Sequence, residues 1–306
     1  MSRTVAPSAP LSRIQPSAVL AVLKPVTWFA PIWAFACGAI SSIPAIPAEA
    51  DGVRLLLEVG LGLVLAGPLL CGASQAVNDW FDRHVDAINE PHRPIPSGRL
   101  PGRSGLAVAI LWTSLSLLVA ACLGPIVLGA AALGCAFSWA YSAPPLRLKR
   151  DGWLGNASVA ISYEGLAWVT GAALVAQGLP SNETLLLAAL YSVGAHGIMT
   201  LNDFKSVKGD RHFGIMSLPA RYGVTLASRI ACWVMAAPQI VVVLCLLSFG
   251  ETLAAAIVAA LLIGQGVLMR RFLKDPEAEA IRYNATGTGL YVLGMMVAAI
   301  ALGLSA

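Results

Sequence analysis

Charge is scarce in this sequence. Only 12% of its 306 residues are Lys, Arg, Asp or Glu, 57% are hydrophobic, and mean hydropathy is +0.74. A soluble domain of this length needs far more polar surface, so that class is excluded. The six cysteines, Cys37, Cys71, Cys122, Cys135, Cys232 and Cys245, fall within or at the edges of apolar runs and show no C-x-x-C spacing. They read as small hydrophobes, which argues against a disulfide framework or a thiolate metal site. No signal-peptide-like apolar segment precedes the first long apolar run, so residues 1–23 are expected to be a cytoplasmic tail, disordered or interfacial. No gap between later runs can house a second core, so residues 24–306 are expected to form one domain.

What is present is a series of apolar runs of spanning length, about 20 residues each. They fall near 26–46, 55–77, 104–122, 125–142, 154–176, 184–201, 226–248, 252–269 and 284–304. The prediction is an all-α polytopic membrane protein with nine transmembrane helices. Assigning loops to alternate sides puts every Lys and Arg except Arg54 on the N-terminal side, out of 20 in all. That asymmetry fixes the N-terminal side as cytoplasmic and the C-terminus as periplasmic. The net charge of +4 therefore describes membrane topology and gives no argument for nucleic acid.

The scarce charge is concentrated. After the second run the sequence reads Asn78-Asp79-Trp80-Phe81-Asp82-Arg83-His84-Val85-Asp86 and continues through Arg93-Pro94-Ile95-Pro96-Ser97-Gly98. On a continuing helix Asp79, Asp82 and Asp86 lie at i, i+3 and i+7, with Asn78 four residues before Asp82, so all four share a face. Such a face repels itself unless a cation holds it. Carboxylate and carboxamide oxygens are hard ligands, and a few of them with room for water and phosphate suit Mg²⁺. A solvated acidic helix end is the plainer alternative, but the pattern recurs in Asn202-Asp203-Phe204-Lys205-Ser206-Val207-Lys208-Gly209-Asp210, again after an apolar run and before a basic loop. Both copies fall on the cytoplasmic side, as a parallel repeat. Together they suit a two-metal clamp on a diphosphate.

Other residues gather around these motifs. Lys24 stands at the cytoplasmic entrance of the first run, where it either meets a phosphate or obeys the positive-inside bias. Phe29 and Trp33 are i, i+4 partners fit to wall a flat ring. Arg93 offers a guanidinium fork for paired oxygens. In the loop Tyr141-Ser142-Ala143-Pro144-Pro145-Leu146-Arg147-Leu148-Lys149-Arg150 two prolines fix the path of a basic segment. Glu164 falls near mid-span, where an unpaired carboxylate costs several kcal/mol. His196 is two turns deeper than Asp203 on the same face, either in an interhelical hydrogen bond or facing an acceptor substrate. Asn284 and Tyr291 are further cavity candidates.

The Asn78-x3-Asp82-x3-Asp86 string with Asp79, the Arg93 to Gly98 run, the Tyr141 to Arg150 loop and Asn202-Asp203-x6-Asp210 resemble the UbiA superfamily of intramembrane prenyltransferases. Within it, the strings from Asn78 to Gly98 and Ala195 to Pro219 closely resemble the branch that makes chlorophylls and bacteriochlorophylls, the Trp80 to Asp86 wording being nearer the bacterial form. The resemblance implies helices ringed about a central cavity that opens to the cytoplasmic face, capped by the motif loops. It implies a Mg²⁺-dependent transfer of a geranylgeranyl or phytyl group from its diphosphate to the propionate of a (bacterio)chlorophyllide. Asp79, Asp82 and Asp203 would be catalytic; Asn78, Asp79, Asp82, Asp86, Asn202, Asp203 and Asp210 would hold metal; Lys24, Arg93, Tyr141, Lys149 and Lys205 would bind diphosphate. Phe29, Trp33, Glu164 and His196 would meet the acceptor.

The same resemblance implies a cell inner membrane, cytoplasmic or intracytoplasmic and photosynthetic, with membrane lipid and proteins of pigment biosynthesis or photosystem assembly as partners. Lys208 and Ser206 depart from the acidic pattern and predict a second metal held either more weakly or mainly through Asp203, Asp210 and water. A chlorophyll synthase, a family member acting on a quinone precursor or haem, and a transporter with an intramembrane phosphate site are the alternatives.

Overall fold

Proline and short polar loops set where the helices begin. Pro16, Pro125 and Pro276 each occupy a first helical turn, where the missing N–H costs nothing. Asp51, Asp151, Ser181 and Asp275 cap other starts by accepting from backbone N–H groups, satisfying donors that the helix leaves free. The computed structural model describes residues 15–305. Among these the elements are helical throughout, with a single isolated bridge between Asp151 and Met216.

In chain order the helices are α1 Pro16–Leu23, α2 Phe29–Ser41, α3 Gly52–Asn89, α4 Ser104–Leu123, α5 Pro125–Ser142, α6 Gly152–Ala176, α7 Asn182–Asp203, α8 Val207–His212, α9 Leu218–Tyr222, α10 Val224–Ser248, α11 Thr252–Lys274 and α12 Pro276–Leu304. Eight of them are long and apolar enough to cross a membrane, and the bent pair Pro16–Thr27 and Phe29–Ser41 makes a ninth candidate if it counts as one span. The chain is thus a multi-span membrane protein, and each expected apolar run falls on one of these helices.

The first run departs from expectation in shape. Residues 1–14 of the expected tail lie outside the described residues, but Pro16–Leu23 is helical and buries Ala18, Val22 and Leu23 against Ala76 and Val77 of α3. Lys24 then adopts a left-handed conformation (φ 48°) ahead of Pro25. A following proline disfavours continued helix, and the chain bends by 57° before α2.

Two long helices carry π-helical stretches, Leu65–Cys71 in α3 and Ile161–Leu166 in α6. Pro68 lies inside the first and cannot donate its own hydrogen bond. Such stretches shift the register of all that follows and are frequent at functional sites. Helices α2 and α6 cross so closely that a Cβ at Gly38 would collide with the Trp168 carbonyl oxygen, and one at Gly171 with that of Phe35. Close small-residue crossings of this type are how membrane helices gain packing without a hydrophobic drive. Beyond the crossing, Trp168 stacks on Tyr191 at 5.7 Å and Tyr291 meets Tyr191 edge-on at 5.4 Å. Tyr291, expected as a cavity residue, is therefore core.

Candidate functional site

Between these helices lies a cavity of about 650 Å³. Its inner wall is apolar, with Phe29, Ala66, Leu70, Phe137 and Leu166, and its other end is polar, with Asn78, Tyr141, Asn156, Asn202, Asp203 and Lys205. Of the first motif only Asn78 lines this chamber, beside Asn202 and Asp203 of the second, while Asp79, Asp82, Asp86, Lys24 and Arg93 are not among its lining residues. A second, smaller recess of about 180 Å³ shares Tyr141, Asn156 and Asp203 with it and adds Lys149, Ser206, Asp210 and Ser217. Tyr141, Lys149 and Lys205 are thus brought together with the second motif.

Helix α3 runs unbroken from its π stretch to Asn89, so the first motif does project from one face. That face is not left to repel itself, contrary to expectation. Lys24 Nζ lies 2.6 Å from Asp79 Oδ1; Arg93 Nη1 lies 2.9 Å from Asp86 Oδ2 and 3.6 Å from Asp79 Oδ1. Asp82 is bonded by Lys149 Nζ and by Arg147 Nη2, the latter at 3.2 Å. The protein's own cations come from three separate loops to balance this helix, which a helical wheel of α3 alone does not reveal. Burial pushes the Lys149 ammonium below its ordinary pKa, with the Asp82 charge opposing the shift. For Arg93, burial works against the charged form, but Asp86 and Asp79 outweigh it and hold the guanidinium above its usual value.

The second motif is built differently. Helix α7 ends at Asp203, a turn follows, and α8 carries Asp210. Asp203 Oδ2 accepts from Asn156 Nδ2 at 3.0 Å, and Asp210 Oδ2 accepts from Ser206 Oγ at 3.0 Å and from Ser217 Oγ. Asn202 Oδ1 accepts from Asn284 Nδ2 at 2.8 Å, and Asn78 donates to Ser142 Oγ at 3.3 Å. The loops that deliver Lys149 and Asp210 are tied together by Gly152 N–H to the Met216 carbonyl (2.9 Å) and Met216 N–H to that of Arg150 (2.8 Å).

The residues fit a hard divalent cation by donor chemistry. Asn78, Asn202 and Asp203 line the cavity, with Asn202 Oδ1 also accepting from Asn284, and Asp79 Oδ2 is buried with no hydrogen-bond partner among the described residues. No three His, Cys, Asp or Glu side chains converge as a ready-made cluster among the described residues. Mg²⁺ does not require one, since it keeps waters and takes phosphate oxygens alongside one or two carboxylates.

Three expected acceptor residues lie elsewhere. Trp33 contacts Phe29 at 5.5 Å as its spacing predicts, but its Nε1 donates to the Val292 carbonyl and only Phe29 reaches the cavity. His196 Nε2 is bonded to the Trp153 carbonyl at 3.2 Å with its ring against the Trp153 indole, the interhelical alternative. Glu164 is buried in the α6 π stretch, its Oε2 without a hydrogen-bond partner among the described residues, and does not line the chamber. A π stretch changes which side chains face inward, and nothing in the sequence announces it. Arg147 as a partner of Asp82 and Ser217 as an anchor of Asp210 escaped sequence reasoning; the basic loop and the Pro219 string were the available signals.

The chain belongs to the UbiA prenyltransferase family, whose model matches residues 29–293, and is a prenyl-transferring enzyme. It is 53% identical over 293 residues to "Bacteriochlorophyll synthase 33 kDa chain" of Cereibacter sphaeroides, covering 96% of this chain and 95% of that protein. Identity to "Chlorophyll synthase, chloroplastic" of Oryza sativa is 38% over 290 residues, covering 92% of this chain and 76% of that one. A solved UbiA homolog from Archaeoglobus fulgidus, bound to GPP and Mg²⁺, matches with a TM-score of 0.69 and 17% identity, covering 91% of this chain and 99% of that one. At that identity the likeness is one of fold.

Proposed function

We propose that this chain esterifies the propionate of a bacteriochlorophyllide with a geranylgeranyl or phytyl group taken from its diphosphate, releasing pyrophosphate. The observation that carries this reading is near-full-length identity to proteins named bacteriochlorophyll synthase, well above that to plant chlorophyll synthases. The chamber suits the chemistry: one polar, charged end for a diphosphate and one apolar, aromatic-lined end for a prenyl chain.

In this mechanism Lys149, Lys205, Arg93 and Lys24 bind the diphosphate and offset the charge that grows on it as the allylic carbon–oxygen bond breaks. Mg²⁺, held by Asp203 and Asp79 or Asp82 with Asn78 and Asn202, would supply further Lewis-acid charge stabilisation. The apolar wall excludes water from the developing allylic cation. An oxygen of the acceptor carboxylate forms the new bond to that carbon. Carboxyl groups titrate near pH 4 in water, so the nucleophile arrives ionised and no enzyme base is needed. The excess of Lys and Arg at the motif end supports a chamber opening to the cytoplasm, an N-terminus inside and a C-terminus outside a bacterial inner or intracytoplasmic membrane. Residues 24–306 would act as the single domain.

The test is an assay on membranes expressing the chain, offered bacteriochlorophyllide or chlorophyllide with geranylgeranyl or phytyl diphosphate. Bacteriochlorophyllide ester plus pyrophosphate is expected. No ester with either pigment, or prenylation of a quinone precursor ring, overturns the reading.

A further inference from the structure

Away from the charged end, the chamber wall carries one neutral polar cluster with no part in the diphosphate chemistry. Thr27, Cys71, Ser74, Gln75 and Tyr163 all line the cavity. Cys71 closes the π stretch of α3 and Tyr163 sits in that of α6, so both register shifts converge on this cluster. Regular helix at either place would turn one partner away.

The hydrogen bonds of the cluster are directional. Ser74 Oγ donates its only hydrogen to the Cys71 carbonyl at 2.8 Å, so at 2.8 Å from the Tyr163 oxygen it must accept from Tyr163. The Tyr163 oxygen in turn accepts from Gln75 Nε2 at 3.1 Å, and the Cys71 thiol lies 3.4 Å from it and 3.5 Å from the Thr27 carbonyl, with one hydrogen for the two. Tyr163 is therefore spent on holding Gln75. A primary carboxamide has a second N–H and a carbonyl oxygen; among the described residues Gln75 makes no other hydrogen bond within normal distance, its head lying beside the Cys71 thiol, and its polar atoms are not sealed from the cavity. Gln75 lies three residues before Asn78, so its head is one helical turn in from the diphosphate end.

We propose that Gln75, locked by Tyr163, is the acceptor-carboxylate binding residue: its free N–H donates to one carboxylate oxygen and leaves the other aimed at the prenyl carbon. This rests on the esterification reading above. A nucleophile must stand beside the carbon that leaves the diphosphate, and one turn in from Asn78 is that place. A neutral donor also suits the step, because a lysine there would pair with the carboxylate in the ground state and blunt its attack. Tyr163 acts as a positioning residue through Gln75.

The test is equilibrium binding of bacteriochlorophyllide and its propionate methyl ester to the purified full chain, read by pigment absorbance without prenyl diphosphate. The ester keeps the ring but removes the charge. Wild type should bind the free acid about tenfold tighter or more, the range of a hydrogen bond to an ionised group. Gln75→Leu should erase that preference while leaving ester affinity and the KM for prenyl diphosphate within about twofold. Tyr163→Phe should reduce the preference by freeing the Gln75 head. Gln75→Glu, which keeps the shape and adds a like charge, should invert it, and decides the matter if Gln75→Leu fails to fold. Retention of the wild-type preference in a folded Gln75 variant overturns the proposal. Failure of wild type to bind or esterify any chlorophyllide would instead overturn the function reading, so the two failures are distinguishable.

Discussion

The two acidic motifs repeat a sequence but not an electrostatic design. On α3, Asp79, Asp82 and Asp86 sit on one rigid helix and are balanced by Lys24, Arg93, Arg147 and Lys149. Around α7 and α8, Asp203 and Asp210 receive only neutral donors, from Asn156, Ser206 and Ser217. Burying a carboxylate beside an amide leaves its charge largely uncompensated, whereas an ion pair cancels it. Ser206 is an anchor for Asp210, and Lys208 is exposed, so neither substitution supplies a competing cation. Under the proposed function, the second motif, with only Lys205 acting on Asp203 from its own loop, is where an added cation would be least opposed, and the first is where cations for a diphosphate would be held on the carboxylates.

The largest effect should come from breaking the second motif. Asp203→Asn removes the charged oxygen at the cavity wall and should lower turnover by about a hundredfold or more, on the order seen when one stabilising group is lost from a reacting centre. Asp82→Asn should also abolish most turnover, yet leave the protein folded in detergent. The comparison is sharpened by magnesium titration: Asp203→Asn should raise the half-saturating Mg²⁺ concentration more than Asp82→Asn does. Equal shifts would erase the distinction between the motifs, and unchanged activity and Mg²⁺ dependence in both variants would remove the metal role.

Next in size is Arg93→Lys. One Arg93 nitrogen reaches Asp86 at 2.9 Å and Asp79 at 3.6 Å, and the rest of the fork remains for phosphate. An ammonium cannot serve two directions in a plane, so kcat/KM for prenyl diphosphate should fall by about tenfold. Identical kinetics at limiting prenyl diphosphate would count against a forked contact.

The long apolar runs made the spans legible, eight helices and the bent pair of the first run among the described residues, because a membrane helix has to be apolar for about 20 residues. The paired Asn-Asp strings made the charged end legible, since hard oxygen ligands beside basic loops have little other use in a membrane. What stayed hidden depended on contacts across the fold. Trp33, Glu164 and His196 were plausible inward residues by count, but the Val292 carbonyl, the π stretch in α6 and the Trp153 contact turned them elsewhere. The pairing of Asp82 with Arg147 joins residues 65 apart, a distance no local pattern encodes. The first helix was missed because Pro16–Leu23 is too short to register as a span.

A pH effect distinguishes the stored cations from the rest. Lys149 is held below its ordinary pKa by burial, against the pull of Asp82. If its positive charge grips diphosphate, kcat/KM for prenyl diphosphate should fall as pH rises through that lowered value, because deprotonation removes the charge. Lys149→Arg, always protonated in this range, should shift the alkaline limb upward at a modest cost in rate. A limb unmoved by the substitution would assign it to another group. Single-turnover rates at saturating acceptor should show no limb that vanishes in His196→Phe, since His196 bonds the Trp153 carbonyl and lies off the chamber wall.

The smallest effect is expected at Ser206, and it tests the neutral design most directly. Ser206 Oγ shares its one hydrogen between Asp210 Oδ2 and the Asp203 carbonyl, each at 3.0 Å, and Ser217 also donates to Asp210 Oδ2, so removing the Ser206 hydroxyl leaves the other donor in place. A single neutral hydrogen bond contributes about 1 kcal/mol net. Ser206→Ala should therefore lower kcat/KM for prenyl diphosphate by about two- to fivefold, and Lys208→Ala should leave it unchanged because that side chain is exposed. The measurement is pyrophosphate release at limiting diphosphate, with detergent thermal stability as the folding control. A loss on the order of a hundredfold in Ser206→Ala, the size expected for a group at the reacting centre, would make the hydroxyl a ligand of the metal or phosphate instead of an anchor. A large gain in Lys208→Ala would mean that the exposed ammonium does compete for the Asp210 charge, and the contrast between the two motifs would narrow accordingly.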